Sequence, residues 1–360
     1  MPADLRTFLM AGGGTGGHVI PSLAVARELR RRGHDVLFLG TRAGMEAKLV
    51  PAAGFRLEFV EIGGLKRVGV RRTLATLFQL PVSVRRSGGL LKASRAAAVF
   101  SMGGYVAGPP VLAALMRRVP VVVMEPNAVP GFTNRHIARF VARALVSFPE
   151  TKRFFPSGRT EITGLPVREE FFSMPARAAG ERFTVLITGG SQGSRTLNQA
   201  ARQSWSLFRS SGVPVRFIHQ SGAAASEELR LAFAEAGMEG EVVPFIADMP
   251  GAFAEADLVV CRSGAGAVAE LAAAGKPSIL SPFPFAADQH QLRNAEAFER
   301  AGAAKLVLDS AMSGEKLFEI ISALANNRAE LQRMSVAARA LAHPGAARRA
   351  AELLEEVSRG

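Results

Sequence analysis

The stretch "MAGGGTGGHVIPSLAVARELRRRG", residues 10–33, decides the fold. The apolar run "TFLMA" (7–11) leads into it, and a glycine-rich turn feeds an amphipathic helix expected over 20–32. A buried strand that ends in glycines and enters a helix is the opening of a doubly wound α/β sheet. The turn presents backbone N–H groups and the positive end of a helix dipole to an anion. Gly12, Gly14 and Gly17 satisfy G-x-G-x-x-G, and His18 follows at once. That pattern opens nicotinamide-binding sheets, where an acid is wanted about 20 residues on, after the second strand. The second strand, "DVLFLG" (35–40), is followed by Thr41 and Arg42, with no acid nearby. An NADP-type ribose phosphate on Arg42 would fit, so an NADP-dependent oxidoreductase remains a weaker alternative.

Outward from this turn, apolar runs and helical patterns alternate. Strands are expected at 56–62, 97–103, 120–126 and 144–148, with helical sequence at 44–54. The second half repeats the plan. Its strands are 183–190, 215–220, 241–245, 256–264, 277–283 and 303–308; its helices are 195–209, 226–236, 265–274 and 288–301. Continuous apolar strands with helices between them form parallel sheets covered on both faces. The expected architecture is two doubly wound Rossmann-like domains facing across a cleft. Gly164 and Pro166 mark the link. Residues 1–163 then form the first domain, 164–340 the second, and 341–360 a C-terminal helix packed back on the first. The whole of 328–358 reads as helical.

The chain has 360 residues, with 44 Lys and Arg against 31 Asp and Glu, a formal charge of +13. Such an excess suits phosphorylated substrates or an acidic lipid surface, or reflects arginine-rich coding. Nucleic acid fits poorly: the chain holds one Trp and one Tyr, and no recognition motif. A single cysteine, Cys261, excludes a disulfide framework and a cysteine-rich zinc site, and it reads as a buried apolar residue. No His-x-x-His pair occurs, so no protein-bound metal is expected. No leader peptide and no membrane span are expected, which points to the cytoplasm with surface attachment to a membrane open.

Three glycine turns stand at strand ends: 12–17, "GGYVAG" (103–108) and "GGSQGS" (189–194). Together they suit phosphate-bearing ligands; each alone is also an ordinary tight turn. His18, at a helix start, is placed to stay a neutral base, or it simply caps the turn. In "CRSGAGAVAELAAAGKP" (261–277), Glu270 follows a glycine turn on a helix, where a carboxylate accepts a ribose diol or merely faces the helix dipole. In "DQHQLRNA" (288–295), Asp288 is expected as N-cap, with His290 and Gln291 beyond it. In 63–95, Lys66, Arg67, Arg71, Arg72, Arg85 and Arg86 flank Leu74, Leu77, Phe78, Leu80 and Val82. Basic residues beside an apolar strip suit an anionic membrane; an ordinary amphipathic helix with a solvated arginine face has the same pattern.

Taken together, "GGTGGH" (13–18), "GGYVAGP" (103–109), "EPNAVPG" (125–131), "GGSQGSR" (189–195), "FIADM" (245–249), "CRSGA" (261–265) and "DQHQLRNA" resemble, in order and over nearly the whole chain, the MurG family. These are N-acetylglucosaminyltransferases of the GT-B fold and glycosyltransferase family 28 type. The resemblance implies a donor, UDP-N-acetylglucosamine, and an acceptor, lipid I (undecaprenyl-diphosphoryl-N-acetylmuramoyl pentapeptide). It implies inverting transfer to the acceptor's 4-hydroxyl, giving lipid II at the cytoplasmic face of the cell membrane, with no cofactor and no metal. It implies His18, Asn127 and Glu270 as catalytic residues. Thr15, Gly16 and Gly17 lie against sugar and diphosphate, Arg168 contacts the nucleotide, Ser191 binds the diphosphate, and Ile246 holds uracil through its backbone. Ala265, Gly266, Ala267, Val268, Ala269 and Glu270 line the nucleotide, and Gln291 binds the transferred sugar. Leu74, Leu77, Phe78, Arg71, Arg72 and Arg85 would touch an anionic membrane, and other cell-wall synthesis proteins are expected as partners. Pro126, Leu165, Gly266 and Ala267 depart from the residues common in relatives. Another GT-B transferase with a different nucleotide sugar or glycolipid is the alternative.

Overall fold

The computed structural model of the chain describes residues 5–62, 70–174 and 182–359, without the side chains of 70–78 and 287. The chain divides into two compact units, Met1–Val167 with Gly345–Gly360, and Arg168–Pro344. The divisions fall four residues beyond 163 and 340.

The first unit is built on seven parallel strands: β1 (Thr7–Ala11), β2 (Asp35–Gly40), β3 (Arg56–Phe59), β4 (Ala96–Ser101), β5 (Val121–Glu125), β6 (Arg143–Val146) and β7 (Thr160–Ile162). Their order is β3-β2-β1-β4-β5-β6-β7, so the direction of winding reverses between β1 and β4. Between them run α1 (Gly16–Arg31), α2 (Glu46–Ala52), α3 (Val70–Ala93), α4 (Gly104–Met116) and α5 (Phe132–Ile137). Consecutive residues such as Phe8, Leu9, Met10 and Ala11 of β1 are all buried, so the sheet is covered on both faces.

The second unit repeats the plan with β8 (Phe183–Thr188), β9 (Val215–Gln220), β10 (Glu239–Val243), β11 (Leu258–Cys261), β12 (Ser278–Leu280) and β13 (Ala304–Leu306). Its order, β10-β9-β8-β11-β12-β13, reverses between β8 and β11. The helices are α6 (Arg195–Ser211), α7 (Ser226–Glu235), α8 (Met249–Glu255), α9 (Ala265–Ala274), α10 (His290–Arg300), α11 (Gly314–Ala325) and α12 (Arg328–Ala340). Trp205, Phe208, Phe217 and Phe233 fill the core between sheet and helices.

Residues 328–358 are not one helix. Pro344 and Gly345, the latter at φ +80°, stop α12, and α13 (Ala346–Val357) starts afresh and belongs to the first unit. There Ala350, Ala351, Leu353 and Leu354 are fully buried. Ion pairs from Arg32 to Glu355 (3.2 Å) and from Arg349 to Glu161 (2.7 Å) border that face. Exposed pairs are worth about 0–1 kcal/mol each, whereas each buried leucine is worth about 1.5–3 kcal/mol, so the apolar face holds the helix.

Candidate active site

In open α/β sheets, ligands bind beyond the carboxyl ends of the strands where the winding reverses. Both glycine turns of the first unit, after β1 and after β4, stand at its reversal. Thr15 is the N-cap of α1, and His18 and Val19 both donate backbone N–H groups to its carbonyl (3.1 and 3.2 Å). The helix therefore begins at Gly16, four residues before the sequence suggests, and His18 lies in its first turn. His18 Nδ1 is 3.2 Å from the Thr15 hydroxyl. Its ring packs on Gly104, where a Cβ would stand 3.5 Å from His18 Cε1; Gly104 itself is at φ +77°. Thr15 and Gly17 are exposed, and Gly16 and His18 half-buried.

Glu46, which the sequence reading passed over, organises this loop. It is fully buried. One carboxylate oxygen accepts the Gly14 N–H at 2.7 Å; the other accepts the Thr41 N–H and hydroxyl, both at 2.8 Å. Side chains at Gly13, Gly40 or Gly44 would collide with that carboxylate. The glycines thus make room for the Glu46 side chain.

Asn127 is set by a second buried acid. Glu125 accepts hydrogen bonds from the Asn127 backbone (3.0 Å) and side-chain amide (3.1 Å), from Gly131 N–H (3.0 Å) and from Asn134 Nδ2 (2.9 Å). Loss of water raises the Glu125 pKa above the usual carboxylate range, against those hydrogen bonds. Asn134 also abuts Gly103, and Thr133 donates its hydroxyl to the Gly104 carbonyl (2.9 Å). His18 and Asn127 therefore belong to one set of interlocked turns.

In the second unit, the turn after β8 rests backbone-on-backbone against the turn after β9. Gly193, at φ +73°, admits no Cβ because the Ser221 carbonyl occupies its place, and Gly222 faces Gln192 in the same way. Gln220, buried at the end of β9, spans the site: it donates to the Gly190 carbonyl (2.8 Å) and accepts the Ile246 N–H (2.8 Å). Sequence reasoning missed it too. Ser191 stays exposed on the turn, and Ser194 caps α6.

The turn after β11 begins α9, so Ala265 through Glu270 are its first residues. Glu270 keeps part of its surface to solvent, but its carboxyl is enclosed enough that loss of water pushes its pKa up to about 7, with the Arg168 charge pulling down. The Arg168 guanidinium lies over the Phe171 ring, 5.0 Å from its centre, and its buried Nε has no hydrogen-bond partner among the described residues. Cys261 is buried and its thiol is pushed up to about 12, first by burial and then by Glu270. That suits an apolar residue and not a nucleophile.

Gln291 is drawn to the same strand ends. Ser263 donates its hydroxyl to the Gln291 carbonyl (2.8 Å), Asn294 donates to the Ser263 carbonyl (3.1 Å), and Gln291 Oε1 accepts the Phe283 N–H (3.0 Å). Asp288 is not the N-cap: Asp288 and Gln289 both take positive φ (52°), and α10 starts after Gln289 without a side-chain cap. A kinked backbone, not an aspartate cap, sets the helix start.

Of the proposed membrane strip, α3 carries Arg71, Arg72, Leu74, Leu77 and Phe78 where side chains lie outside the described residues. Beyond them Val82 is 69% exposed, Arg85 and Arg86 are exposed, and on the packed α4 Met116 is 77% exposed. No described helix is long and apolar enough to cross a membrane. Among the described residues, no three His, Cys, Asp or Glu side chains are grouped to hold a metal ion.

Two parallel sheets, each with glycine turns and helix starts at its reversal, form two Rossmann-like domains, the fold of GT-B glycosyltransferases. Residues 8–146 match the glycosyltransferase family 28 N-terminal domain and residues 184–353 its C-terminal domain, and the chain belongs to that family. It is 67% identical, over all of its length and 98% of the relative's, to the UDP-N-acetylglucosamine–N-acetylmuramyl-(pentapeptide) pyrophosphoryl-undecaprenol N-acetylglucosamine transferase of Solibacter usitatus. It is 44% identical to the protein of the same description from Halorhodospira halophila, over 99% of this chain and all of that one. Among solved structures, Acinetobacter baumannii MurG superposes with a TM-score of 0.81 at 33% identity, covering 98% of this chain and 99% of that one. The calicheamicin glycosyltransferase CalG4, at 19% identity, TM-score 0.71 and 98% coverage of both chains, shares the fold.

Proposed function

We propose that this protein transfers N-acetylglucosamine from UDP-N-acetylglucosamine to the 4-hydroxyl of the N-acetylmuramoyl sugar of lipid I, giving lipid II. The observation that carries the reading is the 67% identity, end to end, to a relative of that description. The acceptor hydroxyl attacks the anomeric carbon, the bond to the diphosphate breaks with its electron pair leaving on UDP, and the anomeric configuration inverts. The hydroxyl proton goes to His18. That role needs the tautomer in which Nδ1–H donates to Thr15, so that Nε2 accepts.

The second unit takes the donor. Glu270 accepts the ribose diol, and Arg168, with its unpartnered buried Nε, offsets negative charge nearby. Ser191 and the α6 start face the diphosphate, where N–H donors stabilise the charge that grows on the leaving group. Because the Ile246 N–H is held by Gln220, its carbonyl is the group left to accept from uracil. Gln291, its oxygen engaged by Phe283, has its amide NH2 to donate to the sugar. The first unit takes the acceptor on Thr15, Gly16, Gly17 and Asn127, and the exposed Val82, Met116 and Arg85 rest on the anionic inner face of the membrane.

Calorimetric titration tests the donor assignment. UDP-N-acetylglucosamine binds at least tenfold tighter than UDP-glucose, GDP-sugars or NADPH. Preference for another nucleotide sugar, or binding of NADPH without UDP, overturns it.

A further inference from the structure

At the carboxyl ends of β2 and β3 lies an open hollow of about 190 Å³ that the functional reading leaves unused. Thr41, Arg42, Phe59, Glu61, Ile62 and Arg86 line it. The Arg42 guanidinium lies over the Phe59 ring, 4.6 Å from its centre, a contact that limits its freedom before any ligand arrives. Arg86 comes from α3. One turn earlier, buried Ser83 donates its hydroxyl to the Glu61 carbonyl and so ties that part of the helix to the hollow. Among the described residues, neither guanidinium is ion-paired to a carboxylate. Thr41 gives its N–H and hydroxyl to Glu46, whose other oxygen holds Gly14. The wall of the hollow and the His18 turn therefore hang on one buried carboxylate.

We propose that this hollow receives a free carboxylate of the acceptor's peptide. The inference rests on the reading that the first unit takes a muramyl-peptide acceptor at the His18 turn. A peptide on the very sugar that reacts must leave the turn over neighbouring surface, and it ends in a carboxylate. Two guanidinium groups supply forked donors matched to that group. Phe59 and Ile62 offer apolar wall to small side chains. Glu61 opposes any anion in the hollow, a diphosphate with its greater charge more than a single carboxylate beside two guanidinium groups, and it can accept peptide N–H groups.

The test uses water-soluble muramyl-peptide diphosphates with a short alkyl chain, so that membrane docking does not enter. One form has free peptide carboxylates and one has them amidated. The variant is Arg42→Gln with Arg86→Gln. We expect the KM for the free-carboxylate acceptor to rise at least tenfold in the variant, with kcat and the KM for UDP-N-acetylglucosamine within twofold. The amidated acceptor shows the same high KM with both proteins. An unchanged KM overturns the proposal, and so does an equal rise for both acceptors, which would assign the arginines to the diphosphate. If the wild-type protein transfers to neither acceptor, the functional reading falls and the proposal with it.

Discussion

Glu270 carries a prediction with a worked size. Its pKa is pushed up to about 7 by loss of water. With that pKa, about 9% of the carboxyl is ionised at pH 6 and about 91% at pH 8. If the carboxylate is the form that accepts the ribose diol, affinity for UDP-N-acetylglucosamine rises about tenfold from pH 6 to pH 8. The sign follows from the raised value: acid neutralises the group and removes its charge-assisted hydrogen bonds. The donor's diphosphate is esterified at both ends and does not titrate in this range, so calorimetric Kd against pH reads the protein. Glu270→Gln flattens the profile at the weak-binding level. Arg168→Gln moves its midpoint upward, because the Arg168 charge holds the pKa down. A flat wild-type profile, or the same slope in Glu270→Gln, refutes the reasoning.

Three further outcomes follow from the packing. Glu46→Gln turns an amide NH2 toward a backbone donor now facing carboxylate, a loss of about 1.5–3 kcal/mol. Transfer falls at least tenfold while donor Kd, read by calorimetry, is unchanged; undiminished turnover would show that the loop does not depend on it. Gly193→Ala strains a left-handed backbone and drives Cβ into the Ser221 carbonyl, whereas Gly190→Ala strains the backbone alone. Denaturant melts show a cost of about 1–2 kcal/mol for Gly190→Ala and distinctly more for Gly193→Ala; equal costs would contradict the backbone-on-backbone packing. His219 is buried and its pKa is lowered to about 4 by loss of water, so its contribution to stability is full above about 6.5 and lost toward 4. Between pH 7 and pH 5 this removes about 2 kcal/mol that a His219→Gln protein does not lose, as thermal melts at both pH values will show.

The strand–turn–helix repeats were legible because each buried strand is an unbroken apolar run and each reversal carries glycines. What escaped were features whose meaning lies in distant partners. Nothing around "GMEAKLV" says that Glu46 will meet Gly14, 32 residues away, or that Gln220 will meet Ile246, 26 away. An acid beside glycines between apolar runs was the available signal. β7 is three residues, half-buried throughout, and leaves no apolar run to read. The early start of α1 contradicts helix propensity, since two glycines open it. Backbone hydrogen bonds to Thr15 and the Gly104 contact override that preference. Asp288 failed as a cap because its backbone turns left-handed before the helix begins.

Transfer chemistry at His18, from UDP-N-acetylglucosamine to a muramyl acceptor, is open to a single assay. The most direct measurement is turnover of labelled donor with a short-chain lipid I analogue, wild type against His18→Ala, followed by product analysis. The expected product is a disaccharide of inverted anomeric configuration, with one UDP released per transfer. In His18→Ala the rate falls about 10²–10⁴-fold with donor Kd unchanged. No disaccharide from the wild-type protein, a retained configuration, or full activity in His18→Ala would contradict it.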